Sequence, residues 1–288
     1  MIYLVLSVIC SVTVGVLLKL AKRYQINITQ AVTWNYLFAI LLSLICFKPN
    51  LSGISLSSLT PTYYILGLLL PTLFLALGLS VRKAGLARTD IAQRLSLFIS
   101  LSAAYFLFKE SFDRYKEVAV VFGFLAIIFT MYRKGDRMTS KKSWLYLLLV
   151  FLGFGAVDIL FKMVSQITEV PYTTSLFIIY TIAFLLSILY LLYLVVQKKT
   201  KLQLVNFFCG CILGIFNFGN ILFYLEAHRS MSNNPSTVFA AMNMGVIVAG
   251  SLIGIFIFRE KLSNWNYVGF ALAIASIVLI TLSKLYAV

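Results

Sequence analysis

Asp158 and Lys162 stand four residues apart inside a long apolar run, a spacing that stacks two side chains on one face of a helix. Asp90 and Arg94 repeat that spacing, and Glu226 and Arg229 lie three apart, which serves equally well. Charge within an apolar helix is costly, so each acid is expected to pair with its base and to mark a gate on a polar pathway. The plainer role is mutual neutralisation near the helix ends, with the long basic side chains reaching for the interface. Asn217, Asn220 and Tyr224 follow at spacings of three and four and form one polar stripe on an otherwise apolar segment. Amides in hydrocarbon need partners, so the stripe faces protein or water, as solute ligands or as glue between helices. Trp34 and Tyr36 could line a cavity, but an aromatic belt at the interface is the commoner role for such residues.

Catalytic chemistry is not indicated. His228 is expected at a loop edge with a structural role, and Cys10, Cys46, Cys209 and Cys211 sit in apolar runs as small hydrophobes. No nucleophile elbow, HExxH or Walker A sequence occurs. An enzyme, a metal and a cofactor are all unexpected.

The segments that hold these residues are set by composition. Of 288 residues, 61% are apolar and only 11% charged, with a mean hydropathy of +0.97. A soluble domain carries about 25% charged residues. Crossing a bilayer takes about 20 helical residues, and lipid requires every backbone hydrogen bond to close within the segment. Ten stretches qualify: about 2–20, 31–47, 62–81, 89–108, 115–132, 143–163, 172–196, 204–227, 235–258 and 265–286. The expected fold is therefore all-α and integral to a membrane, with loops too short for a soluble domain. Pro71 should kink the third span. The Gly210/Gly214 and Gly250/Gly254 pairs should let the eighth and ninth spans approach each other closely, which favours a monomer over a dimer.

The net charge of +15 comes from 24 Lys and Arg against 9 Asp and Glu. Sixteen of the basic residues flank the odd-to-even connections, and six lie on the side of the termini. They are a topology signal, not a nucleic-acid footprint, and the count places both termini outside.

The chain also repeats itself. Tyr105 to Phe112 aligns with Ile255 to Leu262, each with a Glu (Glu110, Glu260), and an aromatic follows each Glu five residues later, Tyr115 and Trp265. Ala39–Ser43 aligns with Ala183–Ser187, Lys19 with Lys162, and Gln93 with Asn243, both 17 residues before their Glu. The two repeats are 1–138 and 139–288. Five spans each is an odd number, so the repeats must insert with opposite orientation.

Ten spans, two five-helix repeats and a fourth helix ending Phe108-Lys109-Glu110-Ser111-Phe112 or Phe258-Arg259-Glu260-Lys261-Leu262 resemble the EamA type of the drug/metabolite transporter superfamily. Two features depart from that pattern. Neither half has the Glu-Pro pair common early in the fourth helix, and family members usually keep both termini in the cytoplasm. The resemblance implies a secondary-active exporter of a small polar metabolite, such as an amino acid or a drug-like solute, working by alternating access in a bacterial inner membrane. Its partners would be that solute, membrane lipids and a coupling proton or counter-substrate. An anionic sugar phosphate or nucleotide sugar held by Lys19, Arg94 and Lys162, a lipid-linked headgroup, and a non-transporting scaffold or receptor are the alternatives. The expected pathway residues are Lys19, Asp90, Gln93, Arg94, Asp158, Lys162, Asn217, Asn220, Tyr224, Glu226 and Asn243.

Overall fold

A computed structural model describes residues 2–49, 60–84, 86–130, 143–168, 170–257 and 264–286. Among them, every long element is an α-helix: α1 (Ile2–Arg23), α2 (Ile28–Phe47), α3 (Pro61–Ala84), α4 (Leu86–Leu95), α5 (Leu97–Phe106), α6 (Arg114–Thr130), α7 (Ser143–Gln166), α8 (Tyr172–Val196), α9 (Leu204–Ser230), α10 (Pro235–Phe256) and α11 (Asn264–Tyr286). Six stretches among the described residues are long and apolar enough to cross a bilayer: Ile28–Phe47, Pro61–Ser80, Trp144–Gln166, Tyr172–Val196, Leu204–Ser230 and Pro235–Gly254. α1 and α11 contain the shorter apolar stretches Ile2–Leu18 and Asn264–Ile280.

The single helix expected over 89–108 is two helices that meet at Ser96. The Ser96 hydroxyl donates to the Gln93 carbonyl at 2.6 Å, and the Ile99 amide turns back to the Ser96 carbonyl. A serine hydroxyl that competes for backbone acceptors weakens the regular ladder at that turn. Pro71 lies inside an unbroken α3, where the Thr72 hydroxyl bonds the Leu68 and Leu69 carbonyls.

Polarity is distributed inside out. Leu and Val side chains point outward along α1, α8 and α9, whereas Gln30, Asn35, Lys162, Asn206, Asn217 and His228 are buried. Water would reverse that arrangement, and hydrocarbon requires it.

The helices pack across the chain's midpoint in matched pairs. α2 lies on α9 as α8 lies on α3; α1 lies on α9 as α7 lies on α3; α1 lies on α10 as α7 lies on α4 and α5; and α6 pairs with α11. Several contacts lack a counterpart of similar extent among the described residues: α7 packs on α9 without an equivalent between α1 and α3, and α2 on α3 without one between α8 and α9. Gly210 and Gly214 are the close-approach points of α9, but their partner is α2 and not α10. A Cβ on Gly214 would fall 2.8 Å from the Asn35 carbonyl, and one on Gly210 would collide with Trp34 and Ala31. Gly250 faces open space.

The turns gather at two ends. At one end, the Gln30 amide bonds Thr200 and the Lys201 carbonyl, Asn206 bonds Gln30, and Asn27 bonds Thr200. At the other, the turn 107–113 meets the start of α10, where Glu110 accepts from Ser236 and Lys116 bonds Asn234.

Candidate functional site

Asp158 sits on α7, half-buried, where that helix meets α5 and α9. Ser100 of α5 donates to one carboxylate oxygen at 2.8 Å, and the Tyr224 hydroxyl of α9 donates to the other at 2.9 Å. The expected ion pair with Lys162 is not formed. Lys162 is fully buried one turn further along, and its Nζ donates to the Ser232 carbonyl at 2.7 Å while lying 5.9 Å from the Phe108 ring centroid. The carbonyls just beyond the end of α9 lack helical partners, and a long lysine stem can reach one.

Near that end lies a second cluster. Glu110, just past α5, accepts from Lys116 Nζ at 2.7 Å, from the Ser236 hydroxyl at 2.6 Å and from the Ser236 backbone amide at 2.8 Å. Ser236 is in the first turn of α10, which begins at Pro235, so the carboxylate takes up free amide donors at a helix start, where negative charge is favoured. Lys116 also reaches the Asn234 side chain at 3.2 Å. The lock joins α5 and α6 to α10. Glu226 and Arg229 do not pair with each other. Glu226 lies beside the Tyr172 hydroxyl, and the Arg229 guanidinium lies 4.6 Å from the Tyr172 ring centroid.

The expected stripe on α9 divides. Asn220 turns to α1 and accepts from Ser7 at 3.0 Å. Asn217 is buried, and its Nδ2 has no hydrogen-bond partner among the described residues. The same holds for both side-chain atoms of Asn35 and for the hydroxyls of Tyr36 and Tyr180, on α2 and α8. Tyr36 is thus a buried group rather than an interfacial aromatic. His228 is likewise no loop residue. It is fully buried in the last turns of α9, edge-on to Tyr224 at 4.7 Å and to Phe239 at 4.9 Å.

Of the remaining candidates, Asn243 donates to the Phe239 carbonyl of its own helix at 3.0 Å. Gln93 and Arg94 are half-buried on α4. Lys19 and Asp90 belong to α1 and α4, but their side chains lie outside the described residues, as does the 258–262 motif with Glu260. The structure therefore brings together Asp158 and Tyr224, with Lys162 one turn away, and leaves Asn220, Glu226 and Asn243 elsewhere. Ser100, Glu110, Lys116, Ser236 and His228 were not assigned a role by spacing. Glu110 could have been found, since an acid and a lysine six apart at a span end need an explanation. Among the described residues, no group of three His, Cys, Asp or Glu could hold a metal.

The chain resembles known proteins over its whole length. An uncharacterized protein of Haemophilus influenzae is 37% identical over 282 residues, 95% of each chain. A protein of known crystal structure aligns over 98% of both chains with a TM-score of 0.68 at 14% identity, which speaks for the fold alone. The profile of the EamA-like transporter family matches residues 141–282. An all-helical bundle with apolar surfaces, buried charges and these matches has one reading: the chain belongs to the EamA-like transporter family, within the drug/metabolite transporter superfamily, and is an integral membrane transporter and not an enzyme.

Proposed function

We propose that the protein is a secondary-active exporter of a small polar metabolite, an amino acid or drug-like solute, working by alternating access. On this reading the chain crosses the membrane ten times, α4 and α5 forming one interrupted span. Repeats 1–138 and 139–288 insert with opposite orientation, in a bacterial inner membrane, with both termini outside. The matched packing of α2 on α9 with α8 on α3, and of α1 on α9 with α7 on α3, supports the inverted relation. A bundle with such symmetry has two equivalent mouths, and alternating access needs them to differ at any moment.

The observation that carries the proposal is one place where the symmetry breaks, at the seam between the repeats. α7 closes on α9 through Asp158 and Tyr224, and at the same end Glu110 fastens α10 to α5 and α6. Its counterpart, α1 with α3, has no packing of that extent among the described residues. One mouth is closed, by contacts that join one repeat to the other. Lys162 is engaged in that closure, which weighs against its being a ligand for an anionic solute.

The test is a thermal-shift screen of amino acids, sugars and nucleotide derivatives on purified protein, followed by counterflow in proteoliposomes with any compound that raises the unfolding temperature. Flux should depend on the protein and fall about tenfold in Glu110→Gln, a coupling loss of ordinary size. Wild-type flux in Glu110→Gln would remove the lock, and a protein that passes no compound of the screen would remove transport.

A further inference from the structure

α2 and α8 pack on each other, and neither carries a charged residue: Ile28–Phe47 and Tyr172–Val196 contain no Asp, Glu, Lys, Arg or His. Their contact is nevertheless polar. We propose that Tyr36, Tyr180, Asn35 and Asn217, where α2, α8 and α9 meet, form a binding site for an uncharged carboxamide group of the transported solute. The inference rests on the transport reading and adds the kind of group that the solute presents.

The alignment of Ala39–Ser43 with Ala183–Ser187 is a shift of 144 positions, and the same shift carries Tyr36 onto Tyr180. Helices that correspond in an inverted repeat and also touch must meet at its axis, and α2 and α8 touch. Both tyrosines are fully buried, and their phenol groups lie close enough to act on each other through space. Neither hydroxyl has a hydrogen-bond partner among the described residues. α9 completes the group. Asn35 lies where α2 touches Gly214, and Asn217 follows Gly214 by one turn. Phe218, next to Asn217, packs on the Tyr180 ring at 6.1 Å. Both side-chain atoms of Asn35 and the Nδ2 of Asn217 likewise lack a partner among the described residues, although both residues are buried.

Where a buried hydroxyl only holds helices together, this bundle pairs it. Tyr63, equally buried on α3, bonds Ser175 of α8 at 2.9 Å, and Tyr224 bonds Asp158 at 2.9 Å. Four side chains gathered at one crossing without such partners cost the fold stability, and hydrogen bonds to a ligand offset that cost. Their chemistry sets its class. Phenol and carboxamide groups both donate and accept, and a carboxamide answers with both, whereas a carboxylate only accepts and an ammonium only donates. Charge is also unwelcome there. α2 and α8 offer none, the first charged residue of α9 past Asn217 is Glu226, and Lys19 of α1 stands equally far from Cys10, the α1 residue against Gly219. Both distances exceed two helical turns, and a buried charge without a pair is costly. The four residues are closed to solvent, so a solute reaches them only when the helices part, which suits an alternating-access cycle.

The experiment is a calorimetric titration of the purified full-length protein with benzamide, benzoate and benzylamine, and with butyramide, butyrate and butylamine, each set sharing one carbon skeleton. The amides should bind about tenfold or more tightly than the acid or amine of the same skeleton, since a site built to hydrogen-bond one group rejects an analogue that cannot match it. Tyr36→Phe and Tyr180→Phe each remove one hydroxyl and keep the ring. Each should weaken amide binding about tenfold, while the unfolding temperature stays level or rises because an unpaired buried oxygen is gone. Unchanged amide affinity in both variants, the result expected if the hydroxyls hold only water, overturns the site. A lower unfolding temperature with affinity intact overturns it too, because the hydroxyls would then be structural. Binding and counterflow confined to compounds without a carboxamide would leave transport standing and remove this inference. Failure of all six probes and of the wider screen alike would remove both.

Discussion

Glu110 meets three donors at once, and its value depends on all of them staying in place. The side chains of Lys116 and Glu110 are only 5% and 2% exposed. Removing one member of a buried pair leaves the other charge stranded, at a cost of about 3–5 kcal/mol. Lys116→Met should therefore lower stability by about that amount in thermal unfolding, and Lys116→Met combined with Glu110→Gln should recover much of it. Residue types were legible in the sequence at this scale, but partners were not. Asp158 and Lys162 are helical neighbours, yet each bonds across the bundle, to residues 58, 66 and 70 positions away. Spacing along a helix tells which side chains share a face and says nothing of what the opposite helix offers. His228 was misjudged for a related reason: α9 continues to Ser230, one turn past the end that apolarity alone suggested.

Helix bounds were the most legible layer, because lipid leaves the backbone little choice but to close its own hydrogen bonds. The exception, the break at Ser96, comes from a hydroxyl competing for a backbone carbonyl, which apolarity cannot register. Helix pairing was less legible. The Gly210/Gly214 pair was expected to approach the next helix in sequence and instead meets α2. Close approach there allows a sharp test. Gly214→Ala would push against the Asn35 carbonyl and Phe38, both 2.8 Å from the added carbon. Overpacking of this kind costs about 1–3 kcal/mol, so a clear drop in unfolding temperature is expected. Gly250→Ala adds the same methyl where nothing lies within 4 Å. It should change stability by less than about 0.5 kcal/mol. Equal effects from the two substitutions would mean that α2 and α9 do not touch as described.

For the whole molecule, orientation is open to direct measurement. The basic residues crowd the ends where α8 passes to α9, around Lys198, Lys199 and Lys201, and basic loops stay in the cytoplasm. In a cysteine-free background, Asn233→Cys and Gln197→Cys place exposed thiols at opposite ends of α9. A membrane-impermeant maleimide should label Asn233→Cys in intact cells and Gln197→Cys only after lysis. The reverse pattern would return the protein to the arrangement usual in its family and show that the charge bias does not govern insertion here.

The matched packing carries a consequence for how the protein is made. α2 rests on α9 and α3 on α8, so each half of the chain finds much of its interior in the other. The two halves are interlaced partners and not a pair of self-sufficient modules. Genes for 1–138 and 139–288 expressed separately should yield fragments that are degraded, whereas co-expression should return a stable complex, read by co-purification from detergent. Neither half has an interior that closes on itself, so assembly has to wait until both are in the membrane.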